Sequence, residues 1–540
     1  MRGSAPVGAP TDLSPATALV RAAARHPGRT SLVWFGGGGP GPSTDEGGST
    51  PHVPTAHLLD VEGSADTVRR LVTVLRRHGV SDGTRVALVA ANSPWHFLVH
   101  TACAWLHAAT VPLSPRRPTA DLADLLGDCD PLLVLRGHGV PDAPAPAPGT
   151  AWETLGLDAL AEEVAAAPPV VGTPPACSGE LATLVHTSGS SGRPKAVELT
   201  HANLWWGSLC FREGFEYSPA TDVVGVCAPL SHIGGLNGTA LDMFSHGGTV
   251  VVTGDPFDPG HVLDCVERFR VTTMFVVPTM CRALLRAQSR RHADLSSWRL
   301  PLVGGDSLDE PLARSMRAVG LPPLHVWGMT ETAGAGAFLH PDTPDVPSSS
   351  IGLPFDHVGL RLVDEGGTEV REAGHPGEIE VRGPGVTRGY FRRPLETAAA
   401  RDGEWLRTGD LAQRDTRGHL HVLGRGSRMI STGGESVSPV RVEHALLGVP
   451  GVHGALVVGL PDEYWGQRVA ALVVATPSAR PTPAALEAHL GEVLAPWELP
   501  RTLEWVRRIP LTPAGKPDVA AARQLFLRDP GVDGVDTLPA

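Results

Sequence analysis

The chain has 540 residues, 42% hydrophobic, 19% charged and 5% aromatic, long enough to bury a sizeable core without disulfides or structural metals. Its 63 glycines and 51 prolines, about a fifth of the chain, stay below the level at which disorder is the default. The net charge of −12, from 57 acidic and 45 basic residues without a long run of one sign, excludes a dedicated nucleic-acid binder and a polybasic membrane surface. Lysine occurs only at Lys195 and Lys516, so 43 of the 45 basic side chains are arginine. Where any cation serves, this composition supplies arginine; the two exceptions raise the question of where a compact ammonium is needed.

The N-terminal stretch has no continuous apolar segment before a cleavage site, so no signal peptide is expected. The apolar runs Val86 to Ala91 and Val469 to Ala475 are too short to cross a membrane. Seven scattered cysteines with no C-x-x-C pair support neither a disulfide framework nor a zinc site, and a reducing cytoplasm fits best. Residues 36–50 and about 141–175 are expected as loops or linkers, and the residues after 527 as a mobile tail.

From about 180 to 330, strand and helix patterns alternate. Leu181 to His186 and Val223 to Pro229 are expected strands, followed by a helix over Gly260 to Arg270 and a buried strand over Val271 to Val277. A helix over Thr279 to His292 and a strand at Leu300 to Val303 come next. Ser307-Leu-Asp-Glu310 fits a capping box opening a helix to about Val319, and Leu324 to Trp327 returns as strand. This order implies a mostly parallel sheet covered by helices. After 350, Val358 to Val363 and Glu378 to Val381 alternate around glycine-rich turns, as antiparallel strands do. A helix near Pro439 to Leu447 and strands near Ala455 to Gly459 and Val469 to Ala475 then suggest a small module. The fold class is α/β: a large N-terminal body, residues 1–427, of mostly parallel sheets with helices and an antiparallel β subdomain, then a small mobile α+β domain, residues 428–540.

The strongest local signal is His186-Thr-Ser-Gly-Ser-Ser-Gly-Arg-Pro-Lys195. Glycines let backbone N–H groups turn toward an anion, hydroxyls add donors, and the ammonium adds charge. Thr187, Ser188, Gly189, Ser190, Ser191, Gly192 and Lys195 therefore form a candidate phosphate loop. Its spacing is not the Walker pattern, because no Ser or Thr follows Lys195 and Pro194 opposes an immediate helix.

With Thr200-His201 behind it, this stretch resembles the phosphate loop of the adenylate-forming superfamily, which includes acyl-CoA synthetases, aryl-CoA ligases, peptide-synthetase adenylation domains and luciferases. Further motifs of that family follow in order. Ala228-Pro-Leu-Ser-His232-Ile-Gly-Gly235 is similar to its acyl-pocket segment, Gly304-Gly305-Asp306 to its adenine-contacting turn, and Trp327-Gly328-Met329-Thr330-Glu331 to its aromatic-G-x-T-E motif. Asp410, in Arg407-Thr-Gly-Asp410, and Arg425, in Gly424-Arg425, resemble its ribose-binding pair, and Thr512-Pro-Ala-Gly-Lys516 resembles its catalytic-lysine loop. The likeness covers about residues 15–527.

The resemblance implies a stand-alone acyl-CoA synthetase, joining a carboxylic acid to CoA through an acyl-adenylate and releasing AMP and pyrophosphate from ATP. It implies that residues 187–192 and Lys195 cradle the β- and γ-phosphates, that Thr187 and Glu331 hold Mg2+, and that Thr330 contacts the α-phosphate. Gly304, Gly305, Asp306, Gly328 and Met329 would border the adenosine, with Trp327, in place of the usual tyrosine, stacking on adenine. Asp410 would accept the ribose hydroxyls, and Lys516 would bridge the carboxylate and the α-phosphate. His232 would gate an acyl pocket containing Gly234, Gly235 and Gly334.

In that family the C-terminal domain rotates about a hinge, here Ser427 and Arg428, and its second pose delivers the loop at Gly433, Gly434 and Glu435 and opens a path for CoA. Ser427-Arg428 stands where Lys-Asp or Lys-Glu is usual. Two readings stay open: a hinge only absorbs a φ/ψ change, or the reversed charge weakens one half-reaction, adenylation first. Residues 231–238 contain no acid, which disfavours α-amino acids, and the small residues there and at 333–336 are expected to leave room for a bulky or long apolar acid. The expected partners are the acid, ATP and CoA, with no nucleic acid and no membrane span. A homodimer, a carrier-protein thiol as acceptor and a non-catalytic adenylate-binding role remain alternatives.

Overall fold

The computed structural model describes residues 14–36, 39, 55–140, 151–187, 194–432, 435–462, 465–475, 480–494, 496–512 and 515–526. Most of the linker expected over 36–50, the C-terminal tail, Ser188 to Gly192, and Gly433 with Gly434 lie outside them.

Among the described residues, β-branched apolar runs build two large sheets. The nine-stranded sheet has six parallel strands in the order Leu324–Trp327, Leu300–Gly304, Thr273–Val276, Val223–Val226, Thr249–Val252 and Thr30–Phe35, with antiparallel strands on both edges. In the seven-stranded sheet, Leu181–Thr187 runs parallel to Ala109–Leu113, Arg85–Val89, Leu133–Arg136 and Glu153–Gly156. On its other side Lys195–Thr200 and then Gly389–Tyr390 pair antiparallel. The helices Val61–Arg77 and Trp95–Trp105 fill the space between the sheets. Every residue of the second is buried, the environment that a helix apolar on all faces requires. One core joins Leu32, Val250 and Val326 of the first sheet to Val86, Val185 and Leu199 of the second through Leu71, Leu75, Phe97 and Leu98.

Residues 359–425 form an antiparallel five-stranded sheet, and from Ile430 a further five-stranded sheet carries the helices Pro439–Leu447 and Pro483–Val493. Its core gathers Ile430, Val442, Leu446, Val457, Val473 and Leu490.

Two sequence expectations need correction. The linker expected over 141–175 contains the strand Glu153–Gly156 and the helix Leu157–Ala166. Leu157, Leu160 and Val164 are buried, a helical spacing masked by the surrounding alanines and prolines. The helix expected from Ser307 begins instead at Glu310: Asp309 is its cap and accepts from the Leu312 N–H at 2.9 Å. A carboxylate next to the first turn wins over a serine two residues earlier.

Several histidines are buried: His96, His100 and His201 lie in or against the helix Trp95–Trp105, and His186 lies against Cys129, its Nε2 3.4 Å from the Sγ. Burial pushes the imidazoles of His96, His100 and His186 down to about 4, and that of His201, with His100 and His107 nearby, down to about 3. The folded protein keeps these rings neutral where the unfolded chain, near 6.5, protonates them. Stability is therefore lost as pH falls from about 6.5 toward 4, by up to about 1.4 kcal/mol per pH unit for each ring. Urea unfolding between pH 7 and 5 should show a falling midpoint, and His201→Asn should flatten that slope; a midpoint constant over this range contradicts the assignment.

Candidate active site

Ligands of open parallel sheets bind beyond the carboxyl ends of the strands, and the sequence motifs gather there. Thr187 ends one strand and faces Lys195, the first residue of the next, across a hairpin. Both flanks of the candidate phosphate loop are thus fixed. Gly304 ends a strand of the other sheet; Gly305 follows with φ +81, a left-handed conformation suited to glycine. Asp306 then accepts the Ser307 N–H at 2.8 Å.

After Trp327 the chain passes Gly328 and Met329 into a 3-10 turn, Thr330–Thr332. The Met329 N–H donates to Thr332 Oγ1 at 3.2 Å. The turn buries Glu331, whose Oε1 accepts the Tyr390 hydroxyl at 3.0 Å. Burial raises this carboxyl above its ordinary range; the Tyr390 hydrogen bond and Arg425 oppose the rise, and Asp410 adds to it. Magnesium is commonly held by one or two carboxylates plus substrate phosphates. A buried carboxylate with one oxygen fixed by a hydroxyl, beside the hairpin that starts at Thr187, fits that demand.

Asp410 and Arg425 face each other on paired strands. Arg425 Nε donates to Asp410 Oδ1 at 2.9 Å, and the Trp327 indole N–H donates to Oδ2 at 3.0 Å. A carboxylate has about four lone-pair sites, so each oxygen keeps capacity for a ribose hydroxyl. The indole reaches this position because Gly336 has no side chain: a Cβ there would lie 2.4 Å from Trp327 Cε3.

The C-terminal module docks its lysine loop onto this cleft. Thr279 Oγ1, at the start of the helix Pro278–Arg291, donates to the Gly515 carbonyl at 3.2 Å. Lys516 Cε lies 3.7 Å from where a Cβ at Gly305 would stand. Lys516 is exposed as a whole residue, while desolvation of its ammonium end in the cleft lowers its pKa from the ordinary lysine value. Asp306, Asp410 and Glu331 oppose that shift, and Arg425 reinforces it. His232 caps the short helix Ile233–Leu236. Burial, with Lys516 and Arg117 nearby, pushes its imidazole down to about 4, so it is neutral at pH 7.

The glycines of the acyl segment do not leave the volume expected of them. A Cβ at Gly234 would lie 2.5 Å from the Phe275 ring, and one at Gly235 would lie 2.3 Å from the Pro229 carbonyl oxygen. At Gly238 it would lie 2.1 Å from the Gly234 carbonyl oxygen. Gly334, at φ +94, would bring a Cβ 3.4 Å from Phe211. Aromatic ring and backbone already fill the space at Gly234, Gly235 and Gly238, whereas the contact at Gly334 is an ordinary van der Waals one.

At the expected hinge, a 3-10 turn covers Gly426–Arg428; the Ser427 and Glu435 side chains lie outside the described residues. Arg428 Nη2 pairs with Glu443 Oε1 at 3.3 Å, and the Val457 N–H donates to the same oxygen at 2.9 Å. Burial pushes the Glu443 carboxyl up to about 7, with Arg428 opposing and Asp306 of the large body adding to the rise. Sequence reasoning passed over Tyr390, Arg117 and Glu443, and it read Gly336 as acyl-pocket volume where the Trp327 indole lies against it. Only Tyr390 carried a signal, as one of three tyrosines in the chain. No helix among the described residues is long and apolar enough to cross a membrane, and no group of metal-ligating side chains is preassembled among them.

Comparison with known proteins agrees with this geometry. Residues 21–391 match the family described as AMP-binding enzyme, and residues 441–516 match the AMP-binding enzyme C-terminal domain. The chain is 37% identical over 456 residues to a feruloyl-CoA synthase of an Amycolatopsis species, covering 83% of this chain and 90% of that protein. To an indoleacetate–CoA ligase of Aromatoleum aromaticum it is 32% identical over 479 residues, covering 86% and 92%. It also superposes on Bacillus subtilis o-succinylbenzoate CoA synthetase in complex with its acyl-adenylate intermediate, with a TM-score of 0.80, 27% identity, and coverage of 95% and 98%. The chain belongs to the AMP-binding enzyme family. It is an enzyme of the acid–thiol ligase class.

The Trp327–Asp410 bond has a ligand-specific consequence. Trp327→Phe keeps an aromatic face but removes the N–H, so AMP should bind about ten-fold more weakly, the scale of one hydrogen bond to a charged group. 2′,3′-Dideoxy-AMP, which cannot engage Asp410, should lose little. Equal losses in calorimetric titrations with the two ligands would show that the indole only stacks.

Proposed function

We propose that the chain activates an aromatic or aryl-alkanoic acid with ATP and transfers the acyl group to CoA. A carboxylate oxygen attacks the α-phosphorus, the bond to pyrophosphate breaks, and an acyl-adenylate remains. The CoA sulfur then attacks the carbonyl carbon and AMP departs. Lys195 would face the leaving pyrophosphate, Thr330 the α-phosphate, and Asp410 the ribose. Lys516 would stand between the carboxylate and the α-phosphate. Mg2+, held by Glu331 and Thr187, would neutralise charge on the phosphate oxygens.

The observation that carries this reading is the docking of the Lys516 loop against Thr279 and Gly305, where Asp306, Glu331 and Asp410 act on its ammonium and His232 is kept neutral. Preorganised charge aimed at the transferring centre is the largest lever such a site has. The aryl preference rests on the two relatives named feruloyl-CoA synthase and indoleacetate–CoA ligase. An acid panel assayed for AMP release tests it, with CoA and a phosphopantetheinyl carrier protein as alternative acceptors. Cinnamate- and arylacetate-type acids with CoA should lead; preference for long-chain acids or for the carrier would replace this reading.

Lys516→Arg keeps the charge but substitutes a forked, planar group for a compact one. Pyrophosphate exchange should fall by about 100-fold or more, because misplacing a group at the reacting centre is costly, whereas preformed acyl-adenylate should still react with CoA. Normal exchange would remove Lys516 from the first half-reaction.

We also propose that the C-terminal domain, residues 428–540, swivels at Ser427–Arg428 and that the arginine favours the pose with the lysine loop docked. Its partner Glu443 is buried near Asp306, so the pair masks a repulsion that arises in this pose. Arg428→Ser should lower pyrophosphate exchange several-fold and spare thioester formation from preformed adenylate. Unchanged partial reactions would reduce the hinge to a passive pivot.

A further inference from the structure

Tyrosine is used sparingly here: three residues, against 12 phenylalanines and 12 tryptophans. Both tyrosines in the described residues give their hydroxyl to a buried carboxylate. Tyr217 donates to Asp242 Oδ2 at 2.8 Å, and Tyr390 donates to Glu331 Oε1 at 3.0 Å. Where only an aromatic body is wanted, phenylalanine serves; at these positions the hydroxyl has work.

Tyr390 has a second contact. The Lys195 ammonium lies 4.9 Å from its ring centroid, within reach of the electron-rich face. The backbone around it is tightly held. Gly389 and Tyr390 pair with Glu198 and Val197 on the strand that Lys195 opens. The Phe391 N–H donates to the Ala196 carbonyl at 2.9 Å, and the Thr387 N–H donates to the Glu331 carbonyl at 2.7 Å. The Tyr390 N–H donates to Thr397 Oγ1 at 2.9 Å. A short strand thus spans from the lysine flank of the phosphate loop to the turn carrying Glu331, with one phenol touching both functional groups.

We propose that Tyr390 is a positioning residue for adenylation: its hydroxyl orients the Glu331 carboxylate and its ring seats the Lys195 ammonium, fixing these two opposite charges on either side of the triphosphate. The inference rests on the function proposed above and assigns Tyr390 no contact with the reacting atoms. Its two contacts are separable. Tyr390→Phe keeps the ring and loses the hydroxyl; Tyr390→Leu loses both.

The test is calorimetric titration of ATP into the full-length protein, in EDTA and in saturating Mg2+. The Phe variant should bind ATP in EDTA within two-fold of the wild type, because Lys195 keeps its seat. The gain that Mg2+ gives to ATP affinity should fall by about five-fold, because Glu331 is no longer held. The Leu variant should lose about five-fold in EDTA as well. In a Glu331→Gln background, Tyr390→Phe should cost nothing further. If the Phe variant keeps the full Mg2+ gain, or if it loses equally with and without metal and in the Glu331→Gln background, Tyr390 is a packing residue and the proposal is overturned. Thermal unfolding is followed alongside. Should Tyr390→Leu fail to fold, the Phe and Gln variants decide the matter. Failure of the wild type to bind ATP at all would overturn the proposed function together with this inference, an outcome distinct from ATP binding that ignores Tyr390.

Discussion

Three carboxylates, Asp306, Glu331 and Asp410, act on the one ammonium of Lys516 in a single cleft, and the reaction brings a triphosphate and a carboxylic acid into the same space. Much of the architecture answers that crowding. Charges in a partly desolvated cleft interact far more strongly than in water, so each must be fixed, paired or delivered only when needed. Asp410 is fixed by Arg425 and Trp327, and Glu331 by Tyr390. Lys516 comes instead from a module with its own core. Its grip on the large body includes a carbonyl hydrogen bond at Gly515. Under the proposed swivel, that cation would be present for the step that gathers negative charge and absent for the step that admits a thiol.

The departure from the family pattern at the proposed hinge is consistent with the same constraint. Docking the lysine loop also brings the helix Pro439–Leu447 near the Asp306–Asp309 turn, so that Glu443 and His444 feel those acids. An acidic residue at 428 would add to that negative charge; arginine removes it through the pair with Glu443. The reversed sign is thus compatible with an intact first half-reaction.

What could be read in the sequence was local. Strands such as Leu324–Trp327 and the helix Pro439–Leu447 carry their own periodicity, and the motifs place chemistry within a few residues of a strand end, where the fold of parallel sheets puts its ligands. What could not be read depended on partners distant in sequence. Gly234 and Gly336 look like open volume until Phe275 is found against the first and the Trp327 indole on the second. A missing side chain says that something comes close, not what. The helix Leu157–Ala166 was hidden for another reason: only three of its residues are buried, and its alanines carry little contrast between faces.

Rarity proved more informative than similarity of residue type. Arginine and lysine share a charge, as phenylalanine and tyrosine share a ring, so a composition leaning toward one member of each pair keeps the other where the difference is used. Lys195 and Tyr390 meet at that difference. A guanidinium at 195 would stack flat on the ring and direct its donors along that plane. An ammonium touches the face with its hydrocarbon side and still turns N–H groups toward a phosphate. The hydroxyl at the ring's far edge does what phenylalanine cannot, reaching a carboxylate that burial would otherwise leave without a side-chain donor among the described residues. Each substitution toward the favoured composition would change how one of the two charges is held, between which the proposed site puts the triphosphate.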